Sequence, residues 1–228
     1  MSSTPETSVG QDAAAATEPT WVLLVAPQPD LARGRWTVAL GVVTFVSGAF
    51  LIVMFVSLAQ GGSAAPWGPI NDALSAGGNV ILAALVPYLS RGAARTRGSR
   101  AFVRVVGAAT LAAAASGLLL VAGVLPFEPS TAISMVTIVL QCAWMIWLNL
   151  AWLREGRIPR RISRFGMAFG VGLLAGIALV GGSLLLPWGS WAANALLIPG
   201  VVLGAGMWIV WPLWFVLLGR HLSRTAER

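Results

Sequence analysis

The sequence predicts an all-α fold, a polytopic membrane helix bundle of six transmembrane helices with both termini cytoplasmic. Three observations carry that expectation. Of 228 residues, 57% are hydrophobic and only 10% charged, with a mean hydropathy of +0.80, whereas a soluble domain carries about 25% charged residues. The apolar residues gather into six runs, each near the ~20 residues needed to cross about 30 Å of hydrocarbon. All 15 basic residues are arginines, and they stand only on alternate connections between those runs. An ordinary water-soluble globule is excluded.

Residues 1–30 are rich in Ser, Thr, Ala and Pro, carry acids but no base, and read as a disordered cytoplasmic tail. Within them the run WVLLV (21–25) is too short to span a bilayer. The transmembrane domain occupies 31–219, with spans at 36–59, 69–90, 102–125, 131–153, 165–186 and 192–219, and 220–228 form a short basic cytoplasmic tail. Helices are required, because lipid offers no partner to bare backbone groups and the runs lack the alternation of barrel strands. The first span reads as a retained anchor rather than a cleaved signal, despite the small residues at Ser57 and Ala59, since its apolar core exceeds the usual length of about 7 to 15 residues. The sixth is long enough to tilt, or to kink at Pro199 or Pro212.

Orientation follows from the arginines. Arg33 and Arg35 precede the first span; Arg91, Arg95, Arg97, Arg100 and Arg104 follow the second; Arg154, Arg157, Arg160, Arg161 and Arg164 follow the fourth; Arg220, Arg224 and Arg228 follow the sixth. The positive-inside rule puts all of them, and both termini, in the cytoplasm of a bacterial plasma membrane. The opposite connections are short and nearly uncharged, and each pairs a proline with an aromatic: Pro66 with Trp67, Pro126 with Phe127, Pro187 with Trp188. Two readings are open. Three tandem hairpins would repeat this pair about every 60 residues, and outer turns of any six-span protein would also collect Pro, Gly and Trp.

A net charge of +7 in a soluble chain would suggest nucleic acid. Here the arginines flank lipid, and their planar forks suit anionic head groups. Arg95, Arg97, Arg100, Arg160, Arg161 and Arg164 are the expected contacts, and no nucleic-acid partner is expected. The single cysteine, Cys142, lies in an apolar run and reads as a small buried hydrophobe. The one histidine, His221, lies beyond the last span, and no metal, nucleotide or hydrolase motif appears. No enzyme site, cofactor or metal is therefore expected.

Asp72 is the one ionisable residue placed to reach membrane depth, and such groups are functional suspects because their desolvation is costly. Asp72, Ser75 and Asn79 share a helical face. That face reads either as the polar wall of an outward-opening solute or proton path, or as a carboxylate at the head-group level favouring its helix start. The fourth span adds Ser134, Thr137 and Gln141 at helical steps, with Asn149 deeper and Asn194 on the sixth. These coordinate a solute or bond helix to helix. Trp144, Trp147, Trp208, Trp211 and Trp214 cluster in the cytoplasmic half of two spans, forming either an aromatic-walled pocket or an inner interfacial belt, which Tyr88 would join. Gly166 with Gly170, Gly172 with Gly176, and Gly200 with Gly204 are small-residue packing seams, within the chain or between copies.

The stretches PRRISRFG (159–166) and PLWFVLLGR (212–220) resemble segments of uncharacterised six-span membrane proteins of high-GC bacteria. The resemblance covers the last 70 or so residues and implies a multi-pass membrane protein with no catalytic residues to carry over. The leading expectation is a non-catalytic membrane component whose role comes from lipids, a homo-oligomer or a membrane partner. The alternative is a transporter for an apolar or weakly polar small solute, using Asp72.

Overall fold

The computed structural model describes residues 30–227. The expected tail, with its WVLLV run, lies outside them apart from Asp30. Among the described residues there are six helices and no strands: α1 (Leu31–Ala59), α2 (Trp67–Leu89), α3 (Arg97–Val121), α4 (Phe127–Glu155), α5 (Arg160–Ser183) and α6 (Trp191–Ala226). Each is long and apolar enough to cross a membrane, giving the chain the architecture of a multi-pass membrane protein.

Local chemistry sets the ends. The Asp30 side chain accepts from the Ala32 N–H, and Ser190 accepts from Ala193; Thr96 and Ser99 cap each other reciprocally at the start of α3. Pro126 and Pro159 stand just before α4 and α5, where a missing N–H leaves no helical bond unmade. Gly156, with φ of 67°, ends α4 in the left-handed region that a glycine enters without a Cβ clash. Four helices outrun the hydropathy through arginines. α1, α3 and α5 begin at Leu31, Arg97 and Arg160 rather than at 36, 102 and 165, and α6 continues through Arg220 to Ala226, so the expected basic tail is largely helical. Arginine is a good helix former, and its long side chain lets a charge stay in water while the backbone winds on.

Consecutive helices pack side by side and α6 closes against α1, so the six form a ring. Short connections make neighbours antiparallel. At one end of the ring, Arg33 lies 4.6 Å from the centre of the Tyr88 ring and Arg91 lies 5.7 Å from it. Arg95 and Arg157 both meet Glu155, at 2.8 and 2.9 Å, and Arg157 donates to the Arg91 carbonyl. The start of α1 lies against the end of α6 at Gly34 and Ser223. Four arginine-bearing segments thus converge on one end of the bundle.

The glycine seams lie inside the chain. A Cβ on Gly176 would sit 2.8 Å from the Gly204 nitrogen, and one on Gly200 would sit 2.9 Å from Val180 N, so α5 and α6 touch backbone to backbone. Gly166 and Gly170 press α5 onto Asn149, Ile146 and the Cys142 carbonyl of α4. A seam absent from the expectations joins α1 to α6, where Gly41 faces the Pro212 carbonyl and Gly219 faces the Gly34 carbonyl, each with 2.7 Å available to a Cβ. Where lipid is as apolar as the side chains, such close approach supplies the dispersion contact that holds helices together.

Candidate functional site: a polar cavity inside the ring

Toward the arginines the centre of the ring is packed with aromatic and aliphatic side chains. Trp144, Trp214, Phe215, Leu148 and Val86 are fully buried. Trp214 stacks on Trp152 with ring centres 6.3 Å apart and meets Phe215 edge-on at 4.9 Å; Trp211 stacks on Phe169 at 5.3 Å. The indole N–H of Trp144 donates to Ser90 at 2.9 Å, and that of Trp214 donates to the Ile162 carbonyl at 3.2 Å. These rings are interior, so an inner belt facing lipid does not describe Trp144, Trp211 or Trp214. Tyr88 is likewise buried, covered by two guanidiniums. Trp147 is half-buried and meets Phe102 edge-on at 6.0 Å.

Beyond that aromatic block the ring is hollow. A cavity of about 290 Å³ is lined by α1, α2, α3, α4 and α6. Its polar wall comprises Thr44 and Ser47 of α1, Asn71, Asp72, Ser75 and Asn79 of α2, and Ser130, Thr131, Ser134, Thr137 and Gln141 of α4. Ala113 and Gly117 of α3 leave room, and Trp208, Trp211 and Phe215 close it on the α6 side. The expected face of α2 is therefore a cavity wall, and the expected polar positions of α4 stand around the same space.

Hydrogen bonds organise the wall in two tiers. Near the start of α2, Ser47 donates to the Asn71 side-chain oxygen at 2.8 Å and accepts from Ser75 at 2.7 Å; Asn71 in turn donates to Asp72 at 3.2 Å. Deeper, Gln141 uses its Nε2 to reach Asn79 and Thr110, each at 3.2 Å, tying α2, α3 and α4 together. Asp72 makes no ion pair among the described residues. The lining thus combines one anionic carboxylate with amide and hydroxyl groups, a set that hydrogen-bonds uncharged hydroxyls or amines and repels anions.

Other expected positions lie elsewhere. Asn149 is fully buried in α4 and donates to the Met145 carbonyl; Asn194 is exposed. Arg95 is engaged by Glu155 and by the Gly92 carbonyl, while Arg97, Arg100, Arg160, Arg161 and Arg164 are exposed and without ion pairs among the described residues. Cys142 is buried. Sequence reading missed Thr44, Ser47, Thr110 and Ser130. The available signal in α1 was that Thr44 and Ser47 are the only hydroxyl residues between 38 and 56 and lie three apart, on one face.

Compared with family models, curated proteins and solved structures, the chain matches none.

Proposed function

We propose that this chain is a plasma-membrane binding and transport protein for a small, weakly polar substrate, held in the cavity between Asp72 and Gln141. One observation carries the reading: polar side chains from α1, α2 and α4 line a single space inside otherwise apolar helices. Glue between helices would need each group to face only its partner, whereas these surround a volume several times the roughly 30 Å³ share of a water molecule. Asp72 holds the substrate's hydrogen-bond donors, Ser75 and Asn79 supply adaptable donors and acceptors, and Gln141 closes the polar wall toward the aromatic block. No step of bond breaking is assigned to these residues, and the role is non-enzymatic.

The convergent arginines support an orientation with both helix termini cytoplasmic, so the cavity lies in the outer half of the membrane. Exposed Arg97, Arg100, Arg160, Arg161 and Arg164 are then placed for anionic lipid head groups of the inner leaflet. The resemblance at 159–166 and 212–220 suggests a high-GC bacterial source.

Proteoliposomes test the reading with a panel running from glycerol to fluorescent amphiphiles. Movement of at least one panel member faster than in protein-free vesicles, and slower in Asp72→Asn, is the expected result. A cysteine at Ser75 should react with a small water-soluble thiol reagent, with the parent chain and its buried Cys142 as the blank. No movement, no reaction at Ser75→Cys, and recovery of a stoichiometric membrane partner in mild detergent would together replace transport with the role of a partner-dependent component.

A further inference from the structure

The seam between α1 and α6 is closed at one end only. From Gly34 to Gly41 the helices touch backbone to backbone against Pro212 and Gly219. Past Ser47, α1 has no buried residue, and between Gly200 and Trp211 neither has α6. The space so opened is a second cavity of about 460 Å³, walled by Phe45, Gly48 and Ile52 on α1 and by Gly204, Ala205 and Ile209 on α6, with α4 and α5 behind it. Its lining is almost wholly apolar, and Phe45, Ile52 and Ile209 are exposed on the outer surface of the helices.

This cleft adjoins the polar cavity. Thr44, Leu51, Met135, Ile138 and Trp208 line both. On the cleft side Pro212 has no N–H to give the Trp208 carbonyl, four residues back. An apolar slot on the membrane side and a polar chamber behind it have the two-part chemistry of one amphiphile. The chemistry of the chamber selects the head: Asp72, the one acidic group in its lining, disfavours an anion, and the other side chains of its polar wall are neutral hydroxyls or amides that match a hydroxyl-bearing head, while the arginine segments gather at the other end of the ring.

We propose that the substrate of the cavity is a membrane amphiphile with an uncharged, hydroxyl-bearing head, which enters sideways from the lipid between α1 and α6. Its chain lies in the cleft beside Gly48 and Gly204, and its hydroxyls reach Asp72, Ser75 and Asn79. This rests on the binding reading above and names the substrate class and its route. A phosphate head is rejected, since a like charge brought against the Asp72 carboxylate is unfavourable.

The test is photolabelling in nanodiscs with diacylglycerol carrying a diazirine in its acyl chain, against phosphatidic acid with identical chains. The expected result is labelling concentrated on α1 around Phe45 to Phe55 and on α6 around Ala205 to Pro212, with phosphatidic acid at least about tenfold weaker there. Neither Gly48 nor Gly204 has a neighbour within 4 Å of an added Cβ. Gly48→Phe and, independently, Gly204→Leu should therefore fill the cleft without disturbing the fold and remove the concentrated label. Asp72→Asn should narrow the gap between the two lipids. Label spread over all six helices in proportion to lipid exposure, label untouched by both filling variants, or equal labelling by phosphatidic acid would each overturn the proposal. The thiol reaction at Ser75→Cys separates the failures. If it persists while the label is diffuse, sideways entry falls and the polar cavity stands; if it is also lost, both fall.

Discussion

The two halves of this ring are made of the same six helices, yet they solve different problems. Toward the arginines, Trp144, Trp152, Trp214, Phe215 and Phe169 pack together in the centre of the ring, and the space recorded there lies outside that block, between α1 and α2 beside Arg33 and Trp36. Toward the other end, the inward positions hold Ser47, Ser75, Asn79, Ala113 and Gly117, whose volumes cannot fill a six-helix ring, and a cavity remains. The filled half fixes the ring's geometry through packing and a few indole hydrogen bonds. The hollow half can then carry polar groups that would be costly in a packed interior, because they pair with one another and with whatever occupies the space. Packed and hollow regions are thus divided along the length of the helices rather than between domains.

The largest effect should come from removing a ring at the centre of the filled half. Trp214 is fully buried, stacked on Trp152 and bonded through its N–H to Ile162. Trp214→Ala should destabilise the detergent-solubilised protein by about 3 to 5 kcal/mol, read as a lower thermal midpoint in near-ultraviolet circular dichroism. A midpoint within a degree of the parent would mean that the aromatic block does not hold the ring. Next in size is the α5–α6 seam: Gly176→Leu places atoms where Gly204 already stands at 2.8 Å from a Cβ. Overpacking of that kind is unfavourable by about 1 to 3 kcal/mol, whereas Gly204→Leu, which meets open space, should leave the midpoint nearly unchanged.

Those two glycines illustrate how far the sequence could be read. Hydropathy summed over about 20 residues marks a membrane helix clearly, so all six elements were legible. Their ends were not, since the hydrogen-bond ladders of α1, α3, α5 and α6 include arginines that hydropathy counts as loop. Spacing brought Asp72, Ser75 and Asn79 onto one face, because 3.6 residues per turn is a property of the helix itself. Which way a helix is rotated about its axis is a property of its neighbours. From sequence Trp211 and Trp214 therefore read first as a belt, with a pocket wall as the alternative, whereas α4 and α5 pack against them through Trp152 and Phe169. Likewise Ser47 is one hydroxyl in an apolar run until α2 brings Asn71 and Ser75 beside it.

Ser47 sharpens the comparison from the hollow side. It is buried, and its hydroxyl joins α1 to two side chains of α2. Polar contacts between helices in a bilayer average about 0.6 kcal/mol. Ser47→Ala should therefore lower stability by roughly that amount, far less than Trp214→Ala, and change the reactivity of a thiol placed at Ser75. A loss as large as that of Trp214→Ala would mean that the cavity wall, rather than the aromatic block, sets the architecture.

Asp72→Asn is the smallest expected change in stability and the most discriminating. The carboxylate is only partly buried, receives one hydrogen bond, from Asn71, and has no ion pair among the described residues. The amide is nearly isosteric, keeps an oxygen for Asn71 and removes a charge from a low-dielectric setting, so the thermal midpoint should move by no more than the roughly 0.5 kcal/mol typical of sites outside a packed core. On the proposed binding role, substrate movement in proteoliposomes should nevertheless fall, because a charged acceptor facing the cavity is gone and charged hydrogen bonds are about twice as strong as neutral ones. A binding wall separates these two readouts; a structural one moves them together. A drop in midpoint matched by an equal loss of movement would return Asp72 to the framework of α2, and with it the hollow half to a mere gap in packing.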